Sequence, residues 1–178
     1  MSALDVLGDA AVVAKRNLIK IKRVPDLLGF TNLSPITFVL LFPCVFGGAT
    51  VGAWYPITPS TSMMEGFKGF CQKYRVDKET KKNRYAIIQA EDELAAVGMV
   101  IGASWAGARA FTPTSGPGIS LMNEFIGLAY YSEVPAVIFD VQRTGPSTGM
   151  PTRTQQGDLM LCAYASHGDT RHICIYPA

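Results

Sequence analysis

Three consecutive acids, Glu91, Asp92 and Glu93, separate a short apolar run, Ala86-Ile87-Ile88, from the nearly uncharged residues 94–106. A carboxylate at a strand end beside an apolar helix can have its pKa raised, enough to share a proton with a ring nitrogen of a ligand. The same cluster also suits a plain helix start, where the dipole favours negative charge. Three other stretches carry usable groups. Thr58 lies between Pro56 and Pro59 in YPITPSTS, a loop whose backbone the prolines hold. Thr114-Ser115-Gly116 offers hydroxyls and backbone N–H groups at a Ser-Gly-Pro-Gly turn. Arg143, in QRTGPSTG, can grip a carboxylate or phosphate with two parallel bonds, or can serve in an ordinary loop-edge salt bridge. The SGPG turn has neither of the common phosphate-loop spacings.

Each of these groups follows a short apolar run, which implies strands that end on a common edge. Residues 86–88, 94–106 and 108–112 parse as strand, helix, strand, a unit that makes a parallel pair buried on both faces. Residues 49–54 read as a strand ahead of the Thr58 loop. Ser60, Thr61 or Ser62 would then cap a helix carrying Met64, Phe67 and Phe70. Residues 72–84 are polar and read as a solvated loop or helix end. Residues 118–132 repeat a helical pattern, with Ile119, Met122, Phe125, Ile126, Ala129 and Tyr130 on one face. Residues 134–141 form another buried strand, followed by a Gly/Pro/Ser/Thr-rich loop at 142–158 of the kind that is functional or mobile. A short helix at 159–165 and a last strand at 172–176 complete the expectation. The fold class is α/β, in three layers, with a parallel sheet and helices on both faces. In such sheets ligands bind at the carboxyl edge, so Thr58, Glu91, Ser115 and Arg143 can face one ligand.

Composition narrows the function classes. The chain has 178 residues, 48% hydrophobic and 17% charged, which describes a globular protein rather than a disordered one. A net charge of +2 with no basic stripe argues against nucleic acid. The four cysteines, Cys44, Cys71, Cys162 and Cys174, are scattered and fit reduced thiols in a cytoplasmic protein. His167 and His172 have no partner at ligand spacing, so no metal site is expected. Residues 3–24 suit a helix that Pro25 ends. The uncharged run from Leu27 suggests a membrane span, but Pro35, Pro43 and Gly47-Gly48 cut it below the ~20 residues required. A buried strand or helix edge is the preferred reading.

Three long motifs, GGATVGAWYPITPSTS, QAEDELAAVGMVIGASWAGARAFTPTSGPG and EVPAVIFDVQRTGPSTGMPTRTQQGDL, together resemble the alpha subunit of the 2-oxoacid:ferredoxin oxidoreductases. The resemblance is to its domain that receives the pyrimidine ring of thiamine diphosphate, and it covers residues 44–178, with the domain incomplete. Residues 1–43 do not match. It implies that Glu91 is the cofactor-activating acid and that Thr58 and Arg143 hold the 2-oxoacid. Tyr55, Pro56, Ile57, Ser115 and Gly116 would join Glu91 in binding the cofactor. It further implies a beta subunit carrying the diphosphate half of the site, magnesium and an iron–sulfur cluster. Coenzyme A would be a co-substrate and ferredoxin or flavodoxin the electron acceptor, with 2-oxoglutarate or pyruvate as the oxoacid. Such a chain would be inactive alone; the other expectation is a non-catalytic fragment that only docks on a partner.

Overall fold

The computed structural model describes residues 48–176. The expectations for the 3–24 helix, the apolar run before residue 48, the segment 1–43 and Cys44 lie outside the described residues. Four strands, β1 (Val51–Trp54), β2 (Ala86–Gln89), β3 (Ala110–Thr114) and β4 (Val137–Asp140), pair in the order β2-β1-β3-β4, all in parallel. Helices α1 (Thr61–Tyr74), α2 (Glu93–Trp105), α3 (Gly116–Tyr131) and α4 (Leu159–Ala163) connect or follow them.

Strand order decides which face each helix covers. The chain steps one way from β1 to β2, then back across β1 to β3 and on to β4. Right-handed crossovers therefore put α1 on one face and α2 and α3 on the other. The packing agrees. On the α1 face, the Phe67 and Phe111 rings meet edge to face at 4.8 Å. On the opposite face, Ala53, Ala110 and Val100 form one buried cluster, and Val97, Ile101, Met122, Ala129 and Val134 form another. α2 and α3 approach closely where Gly98 leaves room for the Phe125 ring, which would lie 2.6 Å from an added Cβ.

Burial is uneven in a way the apolar runs did not predict. β3 is buried at every residue. β2 forms the sheet edge and exposes Ala86, Ile88 and Gln89, so it is not buried on both faces. Two other expectations are corrected. Residues 172–176 make no strand, because they join no ladder and leave Ile173 and Ile175 in solvent. Ser60 occupies the start of α1 but does not cap it with its side chain. Its backbone is already helical (φ −68°, ψ −18°), and a side-chain cap requires an extended N-cap residue. The Ser60 hydroxyl instead donates to the Ile57 carbonyl at 2.8 Å, and Ser62 donates to the Pro59 carbonyl at 3.0 Å. These bonds stiffen the Thr58 loop from within.

Candidate functional site

The strand order reverses between β1 and β3, and a crevice at such a reversal is where open α/β sheets take their ligands. The ladder there is short: β1 and β3 pair only at Val51 with Ala110 and Gly52 with Phe111. Beyond that point Pro113 has no N–H to offer, and the two strands part toward their carboxyl ends. The loop carrying Tyr55, Pro56, Ile57 and Thr58 leaves β1 on one side of this opening. Ser115 and Gly116 leave β3 on the other.

Arg143 reaches this rim from the loop after β4. Its side chain is buried (7% exposed), and its Nη1 donates to the Thr58 carbonyl at 2.8 Å across 85 residues of sequence. Its Nε is buried without a partner. Among the described residues no carboxylate lies within ion-pair distance of Arg143, so the loop-edge salt bridge is not what holds it. Thr58 and Arg143, paired only by expectation in the sequence, are thus in direct contact.

Ser115 is the N-cap of α3, with extended backbone (φ −139°, ψ 172°), yet its hydroxyl makes no capping bond. That hydroxyl is fully buried and unpartnered. The carboxylate of Asp158 stands beside this helix start instead, 2.6 Å from where a Cβ on Gly116 would sit. Tyr55 and Pro56 are exposed, and Ile57 is half-buried.

The acidic cluster divides into three roles. Asp92 is the N-cap of α2 and accepts the Ala95 N–H at 2.6 Å, as the helix-start reading required. Glu93 is buried (6% exposed) and its Cγ would lie 3.0 Å from a Cβ at Gly118, so it packs at the head of α3. Glu91 is exposed. The expectation of a carboxylate desolvated by the apolar helix is therefore corrected: among the described residues β2 is an edge strand, and Glu91 is exposed at its end. It sits on the same carboxyl rim as Thr58 and Arg143, one strand over from Thr58.

A second carboxylate pair escaped the sequence reading. Asp140 ends β4 and Asp158 ends the loop that follows; neither has a motif spacing that marks it. Burial pushes the Asp140 carboxyl up to about 6, with the Asp158 charge adding to the rise and the Cys162 thiol, donating at 3.3 Å, opposing it. Burial likewise raises Asp158, against the Arg143 charge and the Gly116 N–H. The Cys162 thiol is driven well above its usual range by burial and by Asp140. The loop between them is tied by hydrogen bonds of its own. Gln142 accepts the Asp158 N–H at 2.9 Å, the Thr144 carbonyl accepts the Met150 N–H, and the Thr144 N–H and hydroxyl both donate to the Arg153 carbonyl.

One stability prediction follows from Asp140. A raised folded-state pKa means the native state holds the extra proton, so stability present below pH ~4 is lost as pH rises through about 6. Asp140→Asn should therefore melt higher than the parent at pH 8, by roughly 2 kcal/mol after allowance for partial exposure, with the difference shrinking toward pH 4. Thermal melts across that range would show it; a gain that is constant with pH would refute it.

An all-parallel, doubly wound domain with polar groups at its strand-order reversal belongs to the class of α/β folds that take ligands at that edge. Its sequence matches the family described as pyruvate flavodoxin/ferredoxin oxidoreductase, thiamine diphosphate-binding, over residues 44–178, and the chain belongs to that family. It is 47% identical over 139 residues to 2-oxoglutarate synthase subunit KorA of Methanocaldococcus jannaschii, covering 76% of this chain and 36% of that one. It is 48% identical over 134 residues to 2-oxoacid:ferredoxin oxidoreductase 1, subunit alpha, of Aeropyrum pernix, covering 74% of this chain and 20% of that one. Among solved structures it resembles 2-oxoglutarate:ferredoxin oxidoreductase from Magnetococcus marinus with 2-oxoglutarate, coenzyme A and succinyl-CoA bound. The TM-score is 0.65 at 40% identity, over 74% of this chain and 22% of that one. The chain thus spans between a fifth and about a third of the length of these relatives. No helix among the described residues is long and apolar enough to cross a membrane.

Proposed function

We infer that this chain supplies the pyrimidine half of a thiamine diphosphate site, and part of the oxoacid pocket, in the alpha subunit of a 2-oxoacid:ferredoxin oxidoreductase. The observation that carries this reading is the state of Arg143. A buried guanidinium with one nitrogen tied to the Thr58 loop and Nε left without a partner has an edge free for a carboxylate. The unpartnered Ser115 hydroxyl at the opposite lip of the crevice fits a polar ring substituent of the cofactor.

Residue roles follow from position. Tyr55, Pro56 and Ile57 would form one wall of the cofactor site, with Ser115 and Gly116 opposite. Thr58 and Arg143 would orient the carboxylate and keto group of the oxoacid. Glu91 would share a proton with the pyrimidine ring nitrogen, which is acid–base work through the cofactor. Thiamine diphosphate, when bound, supplies the nucleophilic carbon and the electron sink for decarboxylation. Because Glu91 is exposed on an edge strand of the described sheet, the desolvation that makes its proton useful would come from a second subunit. That subunit would be the beta chain holding the diphosphate half, magnesium and the iron–sulfur cluster, in the cytoplasm. Electrons would pass to ferredoxin or flavodoxin and the acyl group to coenzyme A, from 2-oxoglutarate or pyruvate.

The test is complementation. The purified chain alone should show no turnover, and the chain with its beta subunit should restore coenzyme A-dependent decarboxylation of 2-oxoglutarate or pyruvate. Ferredoxin reduction by the chain alone would overturn the half-site reading. A complex that assembles but binds no thiamine diphosphate would leave the non-catalytic docking domain as the correct description.

A further inference from the structure

Two backbone carbonyls flank Thr58, and each is held by a different side chain. The Ile57 carbonyl accepts the Ser60 hydroxyl at 2.8 Å, and the Thr61 N–H reaches the same oxygen at 3.3 Å. The Thr58 carbonyl accepts Arg143 Nη1 at 2.8 Å. Pro59 has no N–H, so this carbonyl is the only hydrogen-bonding group of its peptide unit. Thr58 itself is exposed, and among the described residues its hydroxyl has no hydrogen-bond partner. Its side chain is therefore aimed by the two rigid peptide planes on either side of it, not by a bond of its own. Ser60, which the proposed roles leave unused, is fully buried.

We propose that Ser60 is the positioning residue for Thr58: its hydroxyl pins the Ile57 carbonyl while Arg143 pins the Thr58 carbonyl, and the two together hold the Thr58 hydroxyl ready for the oxoacid. This rests on the reading of Thr58 as a substrate contact. The competing account is that the Ser60 bond merely starts α1. Its direction argues otherwise. A capping serine accepts an N–H from the helix ahead of it, whereas Ser60 donates backward into the loop. The helix start also has a bond of its own to the same oxygen, from the Thr61 N–H. Removing the Ser60 hydroxyl would leave the Ile57 carbonyl on that longer bond, and at a fully buried position water cannot replace the lost donor. Thr58 is β-branched and has few side-chain rotamers, so a turn of its backbone carries the hydroxyl with it.

In the assembled complex, Ser60→Ala should raise KM for 2-oxoglutarate (or pyruvate, if that is the substrate) about fivefold and leave kcat within about twofold. Thr58→Val, which removes the hydroxyl and keeps the shape and the carbonyl, should raise KM at least as much. Adding Ser60→Ala to Thr58→Val should then change KM by less than about twofold, since no hydroxyl remains to be aimed. Ser62→Ala is the control: Ser62 makes a similar local bond, to the Pro59 carbonyl, but in solvent, and its loss should move KM by less than about twofold. An unchanged KM in Ser60→Ala, with Thr58→Val impaired, overturns this proposal and spares the pocket. An unchanged KM in Thr58→Val overturns the reading of Thr58 and the proposal with it. If the two effects simply multiply in the double variant, or if Ser62→Ala raises KM as far as Ser60→Ala, Ser60 does not act through Thr58. A lower melting temperature at unchanged KM in Ser60→Ala would mean that the residue merely holds the start of α1, and that too overturns the proposal.

Discussion

Glu91→Gln should lower kcat of the assembled complex by about a thousandfold and shift KM for the oxoacid by less than about threefold. Glutamine keeps the size and hydrogen-bonding reach of the side chain and loses only the capacity to share a proton with a ring nitrogen. Since Glu91 is exposed on the edge strand, the change should leave the melting temperature of the isolated chain within about a degree, as surface substitutions generally do. Glu93→Gln provides the contrast. Glu93 is buried against the first turn of α3, so its replacement should lower stability while the residual complex turns over normally. Steady-state rates and melts on both variants decide the matter. If Glu91→Gln kept more than a tenth of the activity, the acid–base role would belong elsewhere, and Glu93 would be the first residue to reconsider.

These two acids also show where sequence reading stops. Ala86-Ile87-Ile88 followed by an acidic cluster was enough to place a strand end and a helix start, because length and apolar pattern are local properties. Which acid is buried depends on strand order, and order is non-local: β2 pairs outside β1, so Glu91 faces solvent, while the chain's return across β1 brings Glu93 under α3. Thr58 and Arg143 were legible as candidates because loops after parallel strands share a rim. Their contact was not, since it joins residues 85 apart through a backbone carbonyl, which has no sequence signature. Asp158 was hidden for a related reason. Ser115 looks like the natural cap for α3, and nothing in the string reveals that a carboxylate 43 positions later stands beside that turn. The run at 172–176 has strand-like residues, but a strand exists only where a neighbour's edge accepts it.

Gly118→Ala should be among the most damaging single methyls that can be added to the helices of this domain. A Cβ there would lie 1.8 Å from Oγ1 of Thr114 and 3.0 Å from Cγ of Glu93. Thr114 is fully buried and β-branched, so its hydroxyl has little room to rotate away. Relief requires the head of α3 to lift from the end of β3, which moves Ser115 and Gly116 from the crevice lip. The expected loss is about 3 kcal/mol, the upper part of the usual overpacking range, or about 10 °C in melting temperature for a chain of this size. Gly102→Ala is the matched control: Gly102 lies in α2, exposed, with nothing within 4 Å of an added Cβ, so alanine should stabilise by up to about 1 kcal/mol. Adding Thr114→Ala to Gly118→Ala removes the nearest clashing atom and should restore much of the loss. If the double variant were no more stable than Gly118→Ala, the clash would not be the cause. Cofactor binding to the partner-assembled double variant would then show whether the lip had returned to its place, since the Ser115 hydroxyl can serve a ligand only while α3 stays seated on β3.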